Sequence, residues 1–249
     1  MADIEKLLQS IYRDYARSIG LSEEASYIFG NPLRPVVPLD HGTDSVFFLG
    51  AYPSARFILY NKVLDVPAGD NLGPFENERW FDGSRVRVQP SARELNDYFI
   101  NPLKLTRELC WVTDLVKVFL FKEGHLARYT KLGVNPPVGY ERSRFDELGV
   151  LSLPWIRKEL ALAQPKLIIS LGAEVAGVLR GVKPGAKQTA LLQPEVKALE
   201  IDGISVPTIH CAHPGILMRP SDRNLWPERH KYEFIPAIQK HLMNLARST

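Results

Sequence analysis

The stretch His213-Pro214-Gly215-Ile216-Leu217-Met218-Arg219 carries the most varied chemistry in the chain. It follows a β-branched apolar run over residues 204 to 209, which reads as a strand that delivers an imidazole and then turns at Pro-Gly. In an open α/β sheet the carboxyl ends of the strands are where ligands bind. Imidazole donates and accepts protons near neutrality, which suits it to that position. His210 and His213 form a His-x-x-His spacing, but at a strand end the two rings need not share a face, and no HExxH is present; no metal site is assigned. Ile216, Leu217 and Met218 beside Arg219 suit a wedge that enters a nucleic-acid duplex while phosphates are gripped nearby.

Three other strand ends carry functional groups. Leu49-Gly50-Ala51-Tyr52-Pro53-Ser54 joins a glycine, which allows close backbone approach, to a proline that fixes the turn; a plain strand-ending turn reads the same way. Thr113-Asp114-Leu115-Val116-Lys117 sets a carboxylate inside an apolar run, where it is costly unless paired or used. A salt bridge from Asp114 to Lys117, a turn cap and a site role are all open. Ser170-Leu171-Gly172-Ala173-Glu174 turns from strand into helix, yet lacks GxGxxG and GxxxxGK[ST], so tight strand-to-helix packing explains it.

The elements that must position these groups follow from periodicity. Continuous apolar runs at 46 to 49, 110 to 113, 167 to 171 and 206 to 210 suit strands covered on both faces, the signature of a parallel sheet. Helical spacing marks residues 3 to 19, 92 to 99 with Ser91 and Glu94 as a capping box, 154 to 163 with Pro154 in the first turn, 173 to 179, and a final helix from about 236. Residues 61 to 90 and 122 to 150 read as long loops, which are more often functional than idle. The alternation predicts an α/β fold, a three-layer α/β/α sandwich around a mostly parallel four-stranded sheet. One domain over 1 to 249 is expected, with a helical N-terminal extension of about 30 residues.

The totals restrict the class. A hydrophobic share of 45% and a charged share of 24% are those of a globular protein with a sizeable core. A net charge of +3 permits a polyanionic partner without demanding one. Two cysteines, Cys110 and Cys211, are too few for a disulfide scaffold, a four-thiolate zinc site or an iron–sulfur cluster, and read as buried free thiols in a reducing compartment. The N-terminus lacks the pattern of a signal peptide and no segment reaches the ~20 apolar residues of a membrane span, so a cytoplasmic protein without a membrane partner is expected.

The order of the motifs is more specific than any one of them. Gly-x-x-Pro after the first strand, Thr-Asp-x-x-Lys after the second, Leu-Gly after the third and His-Pro-Gly after the fourth resembles the uracil-DNA glycosylase superfamily, over about residues 45 to 220. The resemblance implies a base pocket at Gly50, Ala51, Tyr52 and Pro53, with Phe75 as the aromatic that stacks on a flipped base. It puts Asp114 where an asparagine typically reads uracil, His213 at the family histidine and Leu217 at the intercalating leucine, with Ile216 and Arg219 alongside on DNA. The chain departs from the pattern at Ala51 and Tyr52, where branches of the family carry a glutamate or an aspartate, and it lacks the iron–sulfur cysteines.

These correspondences imply a monomeric, cofactor-free hydrolase that cleaves the N-glycosidic bond of a damaged or deaminated base flipped out of DNA. His213 would donate to the leaving base and Asp114 would aid the water or the sugar. An ionised aspartate offers acceptors only, which favours an edge with two donors such as guanine or xanthine unless burial keeps it protonated. Two alternatives stand beside this: a nucleic-acid-binding module without hydrolysis, favoured by the missing carboxylates, and a metal-dependent phosphoesterase built on Asp40, His41, Asp44, Asp114 and His213.

Overall fold

Each of the four continuous apolar runs forms a strand of the main sheet in the computed structural model, which describes residues 2–219 and 221–248. In chain order the elements begin with α1 (Ala2–Ser18), β1 (Val46–Gly50), β2 (Ala55–Tyr60), β3 (Leu64–Asp70), β4 (Asn77–Phe81) and β5 (Val86–Pro90). Next come α2 (Ser91–Leu95), extended by a π-helical turn over Asn96–Ile100, then β6 (Trp111–Asp114), α3 (Glu123–Lys131), α4 (Phe145–Ala163), β7 (Leu167–Leu171) and α5 (Ala173–Leu179). The chain closes with α6 (Ala186–Thr189), β8 (Lys197–Ile201), β9 (Ile204–Cys211), α7 (Pro214–Leu217), α8 (Trp226–Arg229), a π-helical turn over His230–Phe234, and α9 (Ile235–Ser248).

The sheet order is β6-β1-β7-β9-β8. β1 pairs in parallel with β6, Phe47 opposite Trp111, and with β7, Phe47 opposite Ile168; β7 pairs in parallel with β9. The sheet therefore has five strands where four were expected, and β8 runs antiparallel to β9. Strand β8 escapes a search for continuous apolar runs because it lies at the edge, with Leu199 and Ile201 buried and Lys197, Ala198 and Glu200 exposed. Its turn is legible, however: Asp202 and Gly203, both at positive φ, join Ile201 to Ile204 as a two-residue hairpin.

Alternate residues along each strand feed two separate cores. Phe47, Leu49, Trp111 and Ile168 pack on the side of α1 and α4; Val46, Phe48, Val112 and Ile169 pack on the side of α2 and α9. Full burial of each such side chain contributes about 1.5–3 kcal/mol. Helix α1 is bound into the first core through Leu7, Ile11 and Tyr15. The Tyr15 hydroxyl lies 2.6 Å from Ser152 Oγ on α4 and accepts the Lys117 backbone N–H at 2.9 Å.

Three local expectations are corrected. Residues 61 to 90 contain β3, which pairs antiparallel with the preceding β2, and the β4–β5 hairpin, and 122 to 150 contain α3 and the start of α4. Pro154 lies inside α4, which starts nine residues earlier at Phe145. Ser91 is the first residue of α2 rather than its cap; its Oγ accepts from Gln89 Nε2, so no capping box forms.

Candidate active site

The sheet order fixes where a cleft must open. From β1 the chain moves outward to β6, then returns to the other side of β1 for β7 and continues to β9. The loops after β1 and β7 therefore diverge, leaving a crevice at their carboxyl ends. A cleft of about 740 Å³ lies there. Its walls include Ala51, Tyr52 and Pro53 after β1, Asp114 at the end of β6, Gly172 after β7 and His213 after β9. Phe75, Ile216 and Arg219 line it too.

Gly50 lets two groups share the floor. The Asp114 carboxylate and the Phe75 ring both occupy the space a side chain at 50 would need, 2.1 Å and 2.6 Å from a Cβ there. Asp114 is 3% exposed, and its carboxyl makes no hydrogen bond among the described residues. Burial pushes its pKa up to about 7, partly offset by the nearby Lys117 ammonium. Of the roles open to Asp114, the salt bridge to Lys117 does not form. The Lys117 ammonium is fully buried and ion-paired with Glu159, and it donates to Thr113 Oγ1 at 2.5 Å and to the Asp114 backbone carbonyl at 2.7 Å. Glu159 in turn accepts from Trp111 Nε1 at 2.7 Å. A closed polar network thus fixes the backbone of Asp114 from below and leaves its carboxyl to the cleft.

Phe75 is held in an unusual backbone conformation, with φ at 55°. That left-handed region costs a non-glycine residue about 1–3 kcal/mol and persists only when the surroundings over-determine it. Arg107 does so: its guanidinium donates to the Phe75 carbonyl at 3.1 Å while pairing with Asp40 at 2.7 Å and Glu76 at 2.6 Å. The Phe75 ring lies 5.9 Å from the His213 ring, tilted by 33°.

His213 has its tautomer set by the turn it starts. Its Nδ1 accepts the Gly215 N–H at 3.0 Å, which leaves the proton on Nε2. Burial pulls its pKa down to about 4, so the ring is a neutral N–H donor at physiological pH. Tyr52 is half-buried, its ring 5.1 Å beneath the Arg142 guanidinium, which is ion-paired with Glu174. No carboxylate stands at 51 or 52; those lining the cleft are Asp114, Glu174 and Glu94. Glu94 has its pKa pushed up by burial, with Arg219 opposing.

The proposed wedge is corrected in one residue. Leu217 is 1% exposed and packs into the second core, so it is not free to enter a duplex. Its neighbours Ile216, on the short helix α7, and Met218, just after it, are 44% and 39% exposed. Both cysteines are buried and free. The side chains of the phosphoesterase alternative do not gather: Asp40 is held by Arg107, His41 packs edge-on to Trp111 and Asp44 pairs with Lys166. Among the described residues no group of three His, Cys, Asp or Glu stands ready to hold a metal ion.

Sequence reasoning missed Asn71, Glu94, Lys122 and His125, all in the cleft wall. Asn71, Lys122 and His125 lie in or beside the hairpin and helix at positions that read as loops in the sequence, whereas Glu94 lies on α2, where the sequence shows it only as part of an apparent capping box. No family model and no curated protein matches the chain. Among the described residues no helix is long and apolar enough to cross a membrane.

Proposed function

We propose that this protein acts on a nucleobase extruded from DNA, as a divergent relative of the uracil-DNA glycosylases that hydrolyses an N-glycosidic bond. The observation that carries the reading is the crowding of Asp114 and Phe75 over Gly50 beside His213. It joins an aromatic face, a carboxyl group without a partner and a neutral N–H donor at one strand-end crevice, which suits a planar base held by its face and its edge. The two cores on opposite faces of the sheet support the three-layer α/β/α architecture that goes with this reading.

Each residue has a task. Phe75 stacks on the base and Asp114 meets its pairing edge. With a pKa about 7, Asp114 offers one donor and one acceptor when protonated, the complement of uracil, and two acceptors when ionised. His213 Nε2–H donates to the base oxygen on which negative charge develops as the bond breaks, a contribution of the kind that dominates many such reactions. Without a carboxylate at 51 or 52, departure of the base is the assisted step, and water then meets the oxocarbenium-like sugar. Ile216 and Arg219 at the mouth contact the duplex, Ile216 as the wedge.

The binding-module reading is favoured by one observation, the absence of a carboxylate at 51 and 52. Oligonucleotides carrying uracil, hypoxanthine or xanthine, followed by alkaline cleavage of abasic sites, separate the two. Strand breaks lost in His213→Ala support hydrolysis; tight binding without breaks supports the module.

A further inference from the structure

The same cleft contains a second group of side chains that the reading above leaves unused. Besides Phe75 and His213, it is lined by Phe57, His125, Lys122 and Asn71. The Phe57 and His125 rings meet edge-to-face at 5.3 Å, and His125 stacks on Phe119 at 5.8 Å. His125 Nδ1 accepts the Lys122 backbone N–H at 3.2 Å, so its second nitrogen carries the proton and is a donor with no partner among the described residues. Lys122 is exposed and forms no ion pair among the described residues.

Asn71 is the independent observation. It directly follows β3, whose last residue Asp70 pairs with Ala55, and so lies beside the loop after β1. The residue is 8% exposed, and its Oδ1 is buried without a hydrogen-bond partner. A buried amide oxygen left unpaired costs about 1–3 kcal/mol, so native proteins rarely keep one without a reason. Asn71 also lines the cleft, where a bound group can bring the missing donor.

We propose that Asn71, Phe57, His125 and Lys122 form a second subsite, which binds the nucleotide next to the extruded one on the same strand. It rests on the nucleic-acid reading of the neighbouring site. Phe57 and His125 supply faces for a flanking base, Asn71 accepts from that base's N–H, and Lys122 meets the linking phosphate. The subsite explains a cleft larger than one base requires, and it makes the substrate a strand rather than a free nucleoside.

The test uses the full chain and a single-stranded thymidine pentamer whose central unit is a tetrahydrofuran abasic analogue, which leaves the Phe75 pocket empty. Affinity is measured by fluorescence anisotropy beside a matched pentamer carrying a central uracil. Asn71→Leu should weaken binding of the abasic strand about tenfold. It should melt at or above the wild-type temperature, because it removes an unsatisfied polar group; this separates lost binding from lost folding. Lys122→Ala should weaken binding by about threefold to tenfold, and a methylphosphonate at one of the two phosphates flanking the abasic unit should reproduce that loss without adding to it. Wild-type affinity for the abasic strand in both variants would overturn the subsite and leave the extruded-base reading standing. Binding of the uracil strand alone would do the same. Failure of the wild type to bind either strand would overturn both.

Discussion

Gly50 and Asp114 claim the same volume: a Cβ on residue 50 would stand 2.1 Å from Asp114 Oδ1. The φ of Gly50 is not positive, so its glycine identity comes from this contact and the one with Phe75. Gly50→Ala must displace the carboxylate or the ring. Overpacking of this kind costs about 1–3 kcal/mol. The variant should fold with a lowered melting temperature and lose at least tenfold in affinity for a base-containing strand, read by thermal melting and anisotropy. Unchanged affinity would show that the Gly50 floor is not where the base sits.

Asp114 makes stability depend on pH. Its folded pKa of about 7 lies above the unfolded value near 3.9. Between those values the folded state keeps a proton that the unfolded state has lost, so stability falls as pH rises from about 4 through 7. Asp114→Asn removes the penalty. Its melting temperature should exceed wild type by an amount that grows from pH 4 to pH 7 and then levels, equivalent to about 2–4 kcal/mol. A variant less stable than wild type at pH 8 would contradict the assignment.

The same ionisation should set base preference. A uracil strand, whose edge needs one donor and one acceptor, should bind more weakly as pH rises through about 7. In Asp114→Asn that dependence should vanish. Affinity that is flat with pH in the wild type would place the base edge away from Asp114.

Residues 216 and 217 divide wedge from core. Leu217→Ala should cost about 2–5 kcal/mol of stability, as large-to-small changes in a packed core do. Ile216→Ala should leave the stability within about 0.5 kcal/mol of wild type, as surface changes do, while weakening duplex binding. If Ile216→Ala binds duplex as tightly as wild type, the wedge lies elsewhere.

These residues also show how far the sequence reading reaches. The four parallel strands were legible because burial on both faces leaves an unbroken apolar run, as in Val46 to Leu49. His213, Asp114 and Gly50 were legible because their strands deliver them to one edge. Leu217 was misread because exposure of a four-residue helix depends on which side faces α2 and α8, and apolar residues at 216, 217 and 218 give no periodicity to decide it. Strand β8 and the two hairpins were missed because edge strands alternate weakly and carry charge, as at Lys197 and Glu200. Asn71 had no signal at all: its importance lies in a missing hydrogen bond, which only the folded chain can show.

His213 should leave no titration near neutrality. With its pKa pulled down to about 4, the ring stays neutral from pH 5.5 upward, and any cleavage rate should lack an acid limb at the usual histidine pKa. A limb centred near 6.5 that disappears in His213→Gln would contradict the buried, neutral donor.

The most direct measurement is strand cleavage at abasic sites after incubation of the wild type, His213→Ala and Asp114→Ala with oligonucleotides carrying uracil, hypoxanthine or xanthine. The account predicts product from at least one base with the wild type, lost by at least a hundredfold in His213→Ala, on the order of an oxyanion-stabilising donor, and reduced in Asp114→Ala. Product that survives undiminished in both variants, or no product from a wild type that binds these strands, would contradict it.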